Sequence, residues 1–532
     1  MRISVALLLA IVALPVAGLV WLSLQGEWAA WPHLLLHVLP TSFWDTTVLL
    51  VSVGFVSALL GAGTAWLTTL CRFPMRSFFA WALVLPLAVP TYIAAYTHVE
   101  FFDFSGPLQN AVRSLGGYQS ARDYWFPDIR SLPGATLIFS AVLYPYVYLT
   151  CRLVYSMQGA SILDASRTLG AGPLRQFYSV AFPMARPALA AGVALVLMET
   201  LNDIGAVEIL GVRTLSYAVF ETWLNRDNLA GAAQIALVTL VLVVLLVLLE
   251  RQARQSRFYA KDTRDKPPSL LSLSPVQQAF AALACLLPLL LGLGLPLYIL
   301  ATYSWVRLEI IDWATLIDVA ANTVTLAGWS ALCATMIAYG LLQYGRVSQV
   351  RLIGPVSRIA TLGYAVPGTV LAIGLLIPLA GFDNWLDSHL RTVGLSWGLM
   401  LSGSLIILIY ACTVRFMAIA FNTIESGFAR VSHNIDMAAR ALGKSPTQLA
   451  LQVHRPIMTK ALLTAFVLVF VDSAKELSAT LLLRPIGFET LATHVYAQAS
   501  QSALEDGAMA ALLIVVIGFI PIIVLNRLSA KT

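Results

Sequence analysis

DASRTLGAGPLRQFYSVAFPMARP, from Asp164 to Pro187, recurs as MAARALGKSPTQLALQVHRPIMTK, from Met437 to Lys460. The two stretches superpose at a constant offset of about 273 positions: Arg167 falls on Arg440, Leu169 on Leu442, Gly170 on Gly443, Pro173 on Pro446 and Pro183 on Pro456. Each reads as two short helices meeting at a break. Asp164, Ala165, Ser166 and Leu169 precede the break in the first copy, and Met437, Ala438, Ala439 and Leu442 in the second. Gly170 and Gly443 supply the turn, because glycine tolerates positive φ at a helix end. Pro173 and Pro446 suit the first turn of the next helix. Small residues ahead of the glycine let the helix lie close to a partner. Two loop helices resting on a membrane would not need this spacing to be kept in two halves that have otherwise diverged. The repeated loop therefore points to a docking surface for two copies of one soluble partner.

The flanks of both loops are apolar over lengths that cross a bilayer. Of 532 residues, 59% are hydrophobic and 11% charged, against a usual charged fraction of about 25%. About 20 apolar residues span the hydrocarbon as a helix. Such stretches fall at approximately 3–24, 44–70, 77–102, 132–156, 184–209 and 229–250, and again at approximately 276–303, 320–344, 352–380, 396–423, 457–483 and 503–526. The expected fold is an all-α integral membrane protein with about twelve transmembrane helices. They form two tandem six-helix repeats, related by a pseudo-two-fold axis along the membrane normal. Residues 1–255 make the first repeat, with its loop near 161–187. A cytoplasmic linker covers 256–275, and 276–532 make the second repeat, with its loop near 434–460.

Further matches keep the same order in both halves. LAVPTYIAAY (Leu87 to Tyr96) resembles YAVPGTVLAIG (Tyr364 to Gly374), which places Pro90 on Pro367. Thr46-Thr47-Val48 resembles Asn322-Thr323-Val324, and Thr214-Leu215 matches Thr490-Leu491.

Lysine and arginine concentrate in cytoplasmic loops of membrane proteins. With the N-terminus inside, most of the 33 basic residues fall in or beside cytoplasmic segments, densest in RQARQSRFYAKDTRDK, Arg251 to Lys266. The acids concentrate outside. Both termini are then cytoplasmic. The net charge of +6 is the sum of this asymmetry and faces lipid headgroups, so no nucleic-acid partner is implied. Met1 to Leu24 reads as an uncleaved first span, too long for a signal-peptide core.

Four acids lie inside expected spans: Glu199 and Asp203 on the fifth, Asp472 and Glu476 at the aligned positions of the eleventh. Lys475 aligns with Asn202. Each i, i+4 acid pair would project from one helix face. A charge at bilayer depth costs roughly 2.5–3.5 kcal/mol on insertion scales, so four left facing lipid would cost on the order of 10 kcal/mol. They must be paired, protonated or in water between the halves. Two readings stand: a lined route through the membrane, or a polar cluster in which Lys475 neutralises an acid and fixes packing.

Other constellations carry less. His33 and His37 have helical spacing but no third ligand, so no metal site is assigned. Tyr144, Tyr146 and Tyr148 fit packing better than metal binding. The five cysteines are dispersed and read as packing residues. Gly443-Lys444-Ser445 lacks the glycine of a phosphate-binding loop five residues earlier, where Ala438 stands. With no catalytic set in view, the chain reads as a non-enzyme without a cofactor of its own.

The repeated loops resemble the glutamate-alanine-alanine loop of ABC-importer permeases. In place of that triplet stand Asp164-Ala165-Ser166 and Met437-Ala438-Ala439. The chain as a whole is similar to the fused permeases of bacterial ferric-iron importers. LGYAVPGTVLAIGLL (Leu362 to Leu376) and KELSATLLLRPIGFETLATHVY (Lys475 to Tyr496) carry this most strongly, supported by LPLAVPTYIAAY (Leu85 to Tyr96) and ETLNDIGAVEILGV (Glu199 to Val212). The resemblance implies a multi-pass protein of the bacterial inner membrane. Each loop would insert a coupling helix into one of two ATPase subunits, where ATP and Mg would bind. A periplasmic binding protein would deliver substrate to outer loops, with Asp103–Arg130 and Gly381–Leu395 as candidates. Ferric iron is the implied cargo, and carboxylates such as Glu199 suit so hard a cation. Thiamine permeases share the fused form and remain an alternative. So does an ion-coupled secondary transporter using the buried acids as proton relays.

Overall fold

The structure, a computed structural model, describes residues 2–25, 31–157, 172–254, 270–348, 366–395, 398–429, 431–501 and 503–529. The first half contains α1 (Arg2–Gln25), α2 (Leu39–Leu70), α3 (Arg76–Ala82), α4 (Thr91–Phe102), α5 (Pro107–Gly116), α6 (Leu132–Met157), α7 (Phe182–Asn202), α8 (Gly205–Ile209), α9 (Leu215–Phe220) and α10 (Leu229–Arg254). The second contains α11 (Pro275–Leu289), α12 (Leu295–Val306), α13 (Trp313–Ser348), α14 (Gly368–Arg391), α15 (Leu405–Ala429), α16 (His433–Ala441), α17 (Arg455–Ala474), α18 (Ser478–Leu483), α19 (Leu491–Ser500) and α20 (Leu504–Ser529). Among the described residues, 10 helical stretches are long and apolar enough to cross a membrane, and a bent pair brings the number to as many as 11. The protein is an all-α integral membrane protein.

Three expected spans are broken. The stretch at 77–102 bends by 96° between Arg76–Ala88 and Thr91–Gly116. Pro90 causes this: Val89 before it is extended (φ −90°, ψ 115°), the conformation that the proline ring imposes. Pro90 and Pro367 then begin α4 and α14 with nearly identical dihedrals, ψ 143° and 142°. The span placed at 352–380 thus has its helix at Gly368–Arg391; residues 351–365 lie outside the described set. The stretches at 184–209 and 457–483 stop at Asn202 and Ala474 and resume as α8 and α18.

Several helices widen into a π-turn two residues ahead of a proline. These turns end at Val38, Ala181, Gly294 and His454, before Pro40, Pro183, Pro296 and Pro456. A proline ring collides with the carbonyl four residues back and offers no N–H to it; an i+5 turn relieves both problems.

Packing follows the apolar faces. α2, α6 and α7 form the centre of the first half, and α13, α15 and α17 that of the second. On α2, Val51, Phe55 and Leu59 stay about two-thirds exposed at i, i+4 spacing, a lipid-facing stripe. The leading helix of each half crosses to the other: α1 packs on α10 and α14, and α12 on α20 and α4. The α1–α14 crossing is closed by glycines. A Cβ on Gly18 would stand 2.2 Å from the Gly374 carbonyl oxygen, and one on Gly374 2.0 Å from that of Pro15.

One hydrogen bond recurs in both halves. Leu215 N donates to Thr46 Oγ1 (2.9 Å), and Leu491 N to Thr323 Oγ1 (2.7 Å). These bonds pair Thr46 with Thr323, one position away from the register of the sequence match, which sets Thr47 on Thr323. Most of the linker expected at 256–275 lies outside the described residues. Its end pairs in parallel with the turn after α2, Leu271–Ser272 beside Cys71–Arg72.

Candidate translocation site

The breaks after α7 and α17 face each other across a central cavity of about 90 Å³. Glu199, Asp203, Asp472, Lys475 and Glu476 all line it, together with Thr91, Tyr92, Asn202 and Arg415. Tyr146 also reaches it, whereas Tyr144 and Tyr148 are buried packing residues.

The acids do not sit as i, i+4 pairs on continuous helix faces. Asp203 and Glu476 lie past the helix ends, and each caps the short helix that follows. Asp203 Oδ1 accepts from Ala206 N at 2.7 Å, and its other oxygen from the Thr91 hydroxyl. Glu476 accepts from Ala479 N (2.9 Å), Thr480 N (3.0 Å) and Thr480 Oγ1 (2.8 Å). Unpaired N–H groups at a helix start favour such an acceptor. The position 273 residues apart thus does the same work in both halves.

Two of the four acids in the cavity wall stand in ion pairs. Lys475 Nζ lies 2.8 Å from Asp472 Oδ1, and Arg415 Nη1 lies 2.5 Å from Glu476 Oε1. Arg415 was not singled out in the sequence, although a lone arginine inside an apolar run marks an intramembrane site by itself. Asn202 bridges the halves: its Oδ1 accepts from Gly368 N (3.1 Å), and its carbonyl from Ser478 Oγ (3.0 Å). Two polar atoms in this wall have no hydrogen-bond partner among the described residues, Tyr92 Oη and Arg415 Nε.

Of the repeated loop, the second copy is described. α16 ends in a turn at Gly443, φ +76°. Gly443 N donates to Arg440 O and Lys444 N to Ala439 O, the bond pair that closes a helix through a left-handed residue. Ser445 and Gln448 then cap the next turn reciprocally, with Pro446 at its first position. Met437, Ala438 and Leu442 are exposed, and Ala439 is buried. In the first copy, Asp164, Ala165, Ser166 and Gly170 lie outside the described residues, and Pro173 opens the turn Pro173–Gln176.

A buried carboxylate ties α16 to the bundle. Asp436 accepts from Arg346 Nε (2.7 Å), and its Oδ1 lies 2.7 Å from His454 Nε2. Arg346 also donates to the carbonyls of Phe428 and Val431 near the end of α15. Burial works to raise the Asp436 carboxyl, but the bonds to Arg346 and His454 outweigh it and hold it below the usual carboxylate range.

Among the described residues no three His, Cys, Asp or Glu side chains group as a metal site. His33 and His37 lie with ring centroids 5.2 Å apart.

Residues 51–256 match the family described as binding-protein-dependent transport system inner membrane component. The chain is 23% identical over 492 residues to the Fe(3+)-transport system permease protein FbpB 2 of Haemophilus influenzae, covering 92% of this chain and 90% of that one. It is 29% identical over 198 residues to the sulfate transport system permease protein CysT of Salmonella typhimurium, covering 37% of this chain and 68% of that one. A third relative is the putative 2-aminoethylphosphonate transport system permease protein PhnV of the same organism, 28% identical over 203 residues, 38% of this chain and 69% of that one.

Proposed function

We propose that this chain is an inner-membrane permease component of binding-protein-dependent transport and moves ferric iron into the cytoplasm by alternating access, a reading supported by the similarity over residues 51–256 and to a ferric-iron permease. The observation that carries the reading is the convergence of four acids from aligned positions of both halves on one central cavity. The end-to-end similarity to a ferric-iron permease supports the choice of cargo.

In this reading two ATPase subunits grip α16 and the loop around Gly170. Their closure on ATP draws the two loops together. Asp436, joined to Arg346 and His454, passes that displacement to α13 and α17. The breaks at Asn202–Gly205 and Lys475–Ser478 then part, and the cavity exchanges sides. Carboxylate oxygens offer hard ligands to the ion. Arg415 and Lys475 keep them from binding it too tightly to release. ATP and Mg belong to the partner, and both termini face the cytoplasm.

A second reading is favoured by those same two cations. Arg415 and Lys475 in the wall would suit an oxyanion, and sulfate and phosphonate permeases match part of the chain. Uptake of radiolabelled ferric iron, sulfate and thiamine separates these cargoes. Cells lacking and carrying the chain would be compared, with the native binding protein and ATPase present. Iron uptake restored alone supports the proposal; sulfate or thiamine uptake restored alone replaces it. Uptake without any ATPase would point instead to an ion-coupled carrier.

A further inference from the structure

At the end of the second half opposite α16, the chain leaves α18 through Arg484-Pro485-Ile486-Gly487-Phe488-Glu489. Phe488 N donates to Pro485 O at 3.1 Å, and Gly487 takes φ +80°. This is a tight turn of the kind that needs glycine at its third position. Ile486 stands at the tip with a relative exposure of 107%, beyond that of an isolated reference residue. The turn is braced at its base. Arg484 Nη1 lies 3.0 Å from Glu489 Oε1, and Asn322 of α13 donates to the Glu489 carbonyl at 3.0 Å.

Beside the turn runs a groove of about 580 Å³, bordered by Asp318, Arg484 and Glu489, and a second hollow of about 320 Å³ meets it at Thr315. Together their walls carry five carboxylates against two arginines. Both arginines are engaged, Arg484 with Glu489 and Arg307 with Glu505 at 2.6 Å. The first half has a glycine of positive φ at the matching position, Gly211 (φ +68°), but there it closes α8, with Val212 N donating to Val207 O, and Leu210 before it is fully buried.

We propose that the Pro485–Phe488 turn is a docking knob for the substrate-binding protein, with Ile486 entering an apolar recess ringed by lysine or arginine on one lobe of that protein. The proposal rests on the function given above, in which such a protein delivers the cargo. A rigid apolar tip loses little entropy on docking, and one seated residue can carry much of an interface. The acidic groove supplies the complementary charge and speeds encounter at low salt. Because only the second half presents an exposed tip at this turn, the knob fixes which lobe meets which half. The segment Asp103–Arg130, which contains α5, then serves as a flank together with Gly381–Leu395, which was expected as a loop but is mostly the last turns of α14.

The test uses the whole transporter in liposomes, with ATP hydrolysis followed against the concentration of binding protein. Ile486→Asp is expected to raise the half-saturating concentration at least about tenfold, leaving basal and maximal rates unchanged. Gly487→Val, which strains the turn, should act the same way. Leu115→Ser, in the last turn of α5, should have a much smaller effect. An unchanged half-saturation for both knob variants overturns the proposal. A bimane label on Ile486→Cys should shift to the blue only when binding protein is added. A blue shift already present in liposomes alone assigns the tip to lipid and also overturns it. A wild-type complex that no binding protein stimulates would sink the functional reading itself, an outcome distinct from failure of the knob alone.

Discussion

Asn202 Oδ1 accepts a hydrogen bond from Gly368 N at 3.1 Å, so the last residue of α7 caps the first residue of α14 across the two halves. A Cβ on Gly368 would stand 2.3 Å from Arg415 Nη1, which leaves no room for the contact to slide. Replacing a helix cap by alanine costs about 0.5–2 kcal/mol. Asn202→Ala is expected to lower the thermal stability of the detergent-solubilised protein by about that amount, while Asn202→Asp, which keeps the acceptor, loses less. Equal melting of wild type and Asn202→Ala would refute the cap.

Arg415 and Glu476 form a buried ion pair. Removing one partner of such a pair costs about 3–5 kcal/mol, because the other charge is left without compensation. Arg415→Met should therefore abolish accumulation of folded protein. The double variant Arg415→Met, Glu476→Gln should recover much of it, read as yield and monodispersity after extraction.

Glu199 and Glu476 line one cavity. The Glu476 carboxylate is committed to Arg415, Ala479 and Thr480, so Glu476→Gln should show first as lost stability. On the proposed route for ferric iron, Glu199→Gln protein that inserts stably should take up the ion about tenfold more slowly, a change of about 1.4 kcal/mol in effective barrier. Wild-type uptake in a stably inserted Glu199→Gln protein would remove that carboxylate from the route.

The Asp436 clamp gives α16 a pH dependence. Its folded-state carboxyl is held below the usual value of 3.8. It therefore stabilises the fold fully above that value, and the contribution disappears as the pH falls from there through the folded value. Protection of the α16 amides, exchange measured relative to an unfolded peptide at the same pH, should be high at neutral pH and fall as the medium is acidified below about 3.8. In Asp436→Asn the protection should be lower at neutral pH and show less of this acid dependence. An identical pH profile in the two proteins would exclude the clamp.

The sequence carried the membrane-spanning helices, because they rest on spacing, although 10 or 11 of the twelve expected stretches qualify among the described residues. Apolar runs located the spans, and the shared glycine and prolines located the loop whose second copy turns at Gly443. It also carried the charged constellation, for buried acids are expensive enough to be conspicuous. The helix breaks were harder. Glu199 with Asp203, and Asp472 with Glu476, fit the spacing of an unbroken helix as well as that of a helix ending in a capped break. The capping signal is nonetheless present: in Asp203-Ile-Gly-Ala an acid precedes by three residues the N–H it receives. Arg415 is legible as a lone cation in an apolar span. The knob at Ile486 was not legible, since nothing in Arg-Pro-Ile-Gly-Phe tells an exposed isoleucine from the buried Leu210 of the first half. That difference comes from tertiary cover.

The exchange of leading helices bears on biogenesis. α1 leaves the ribosome well before α14, which begins at Gly368 and is one of its two main partners. Until that residue is synthesised, the face around Gly18 has only lipid against it. The first half is therefore an assembly intermediate rather than a finished subunit, and joining both halves in one chain guarantees that each nascent α1 meets an α14 at once. Two fragments divided in the linker should accumulate when made together and be degraded when made apart.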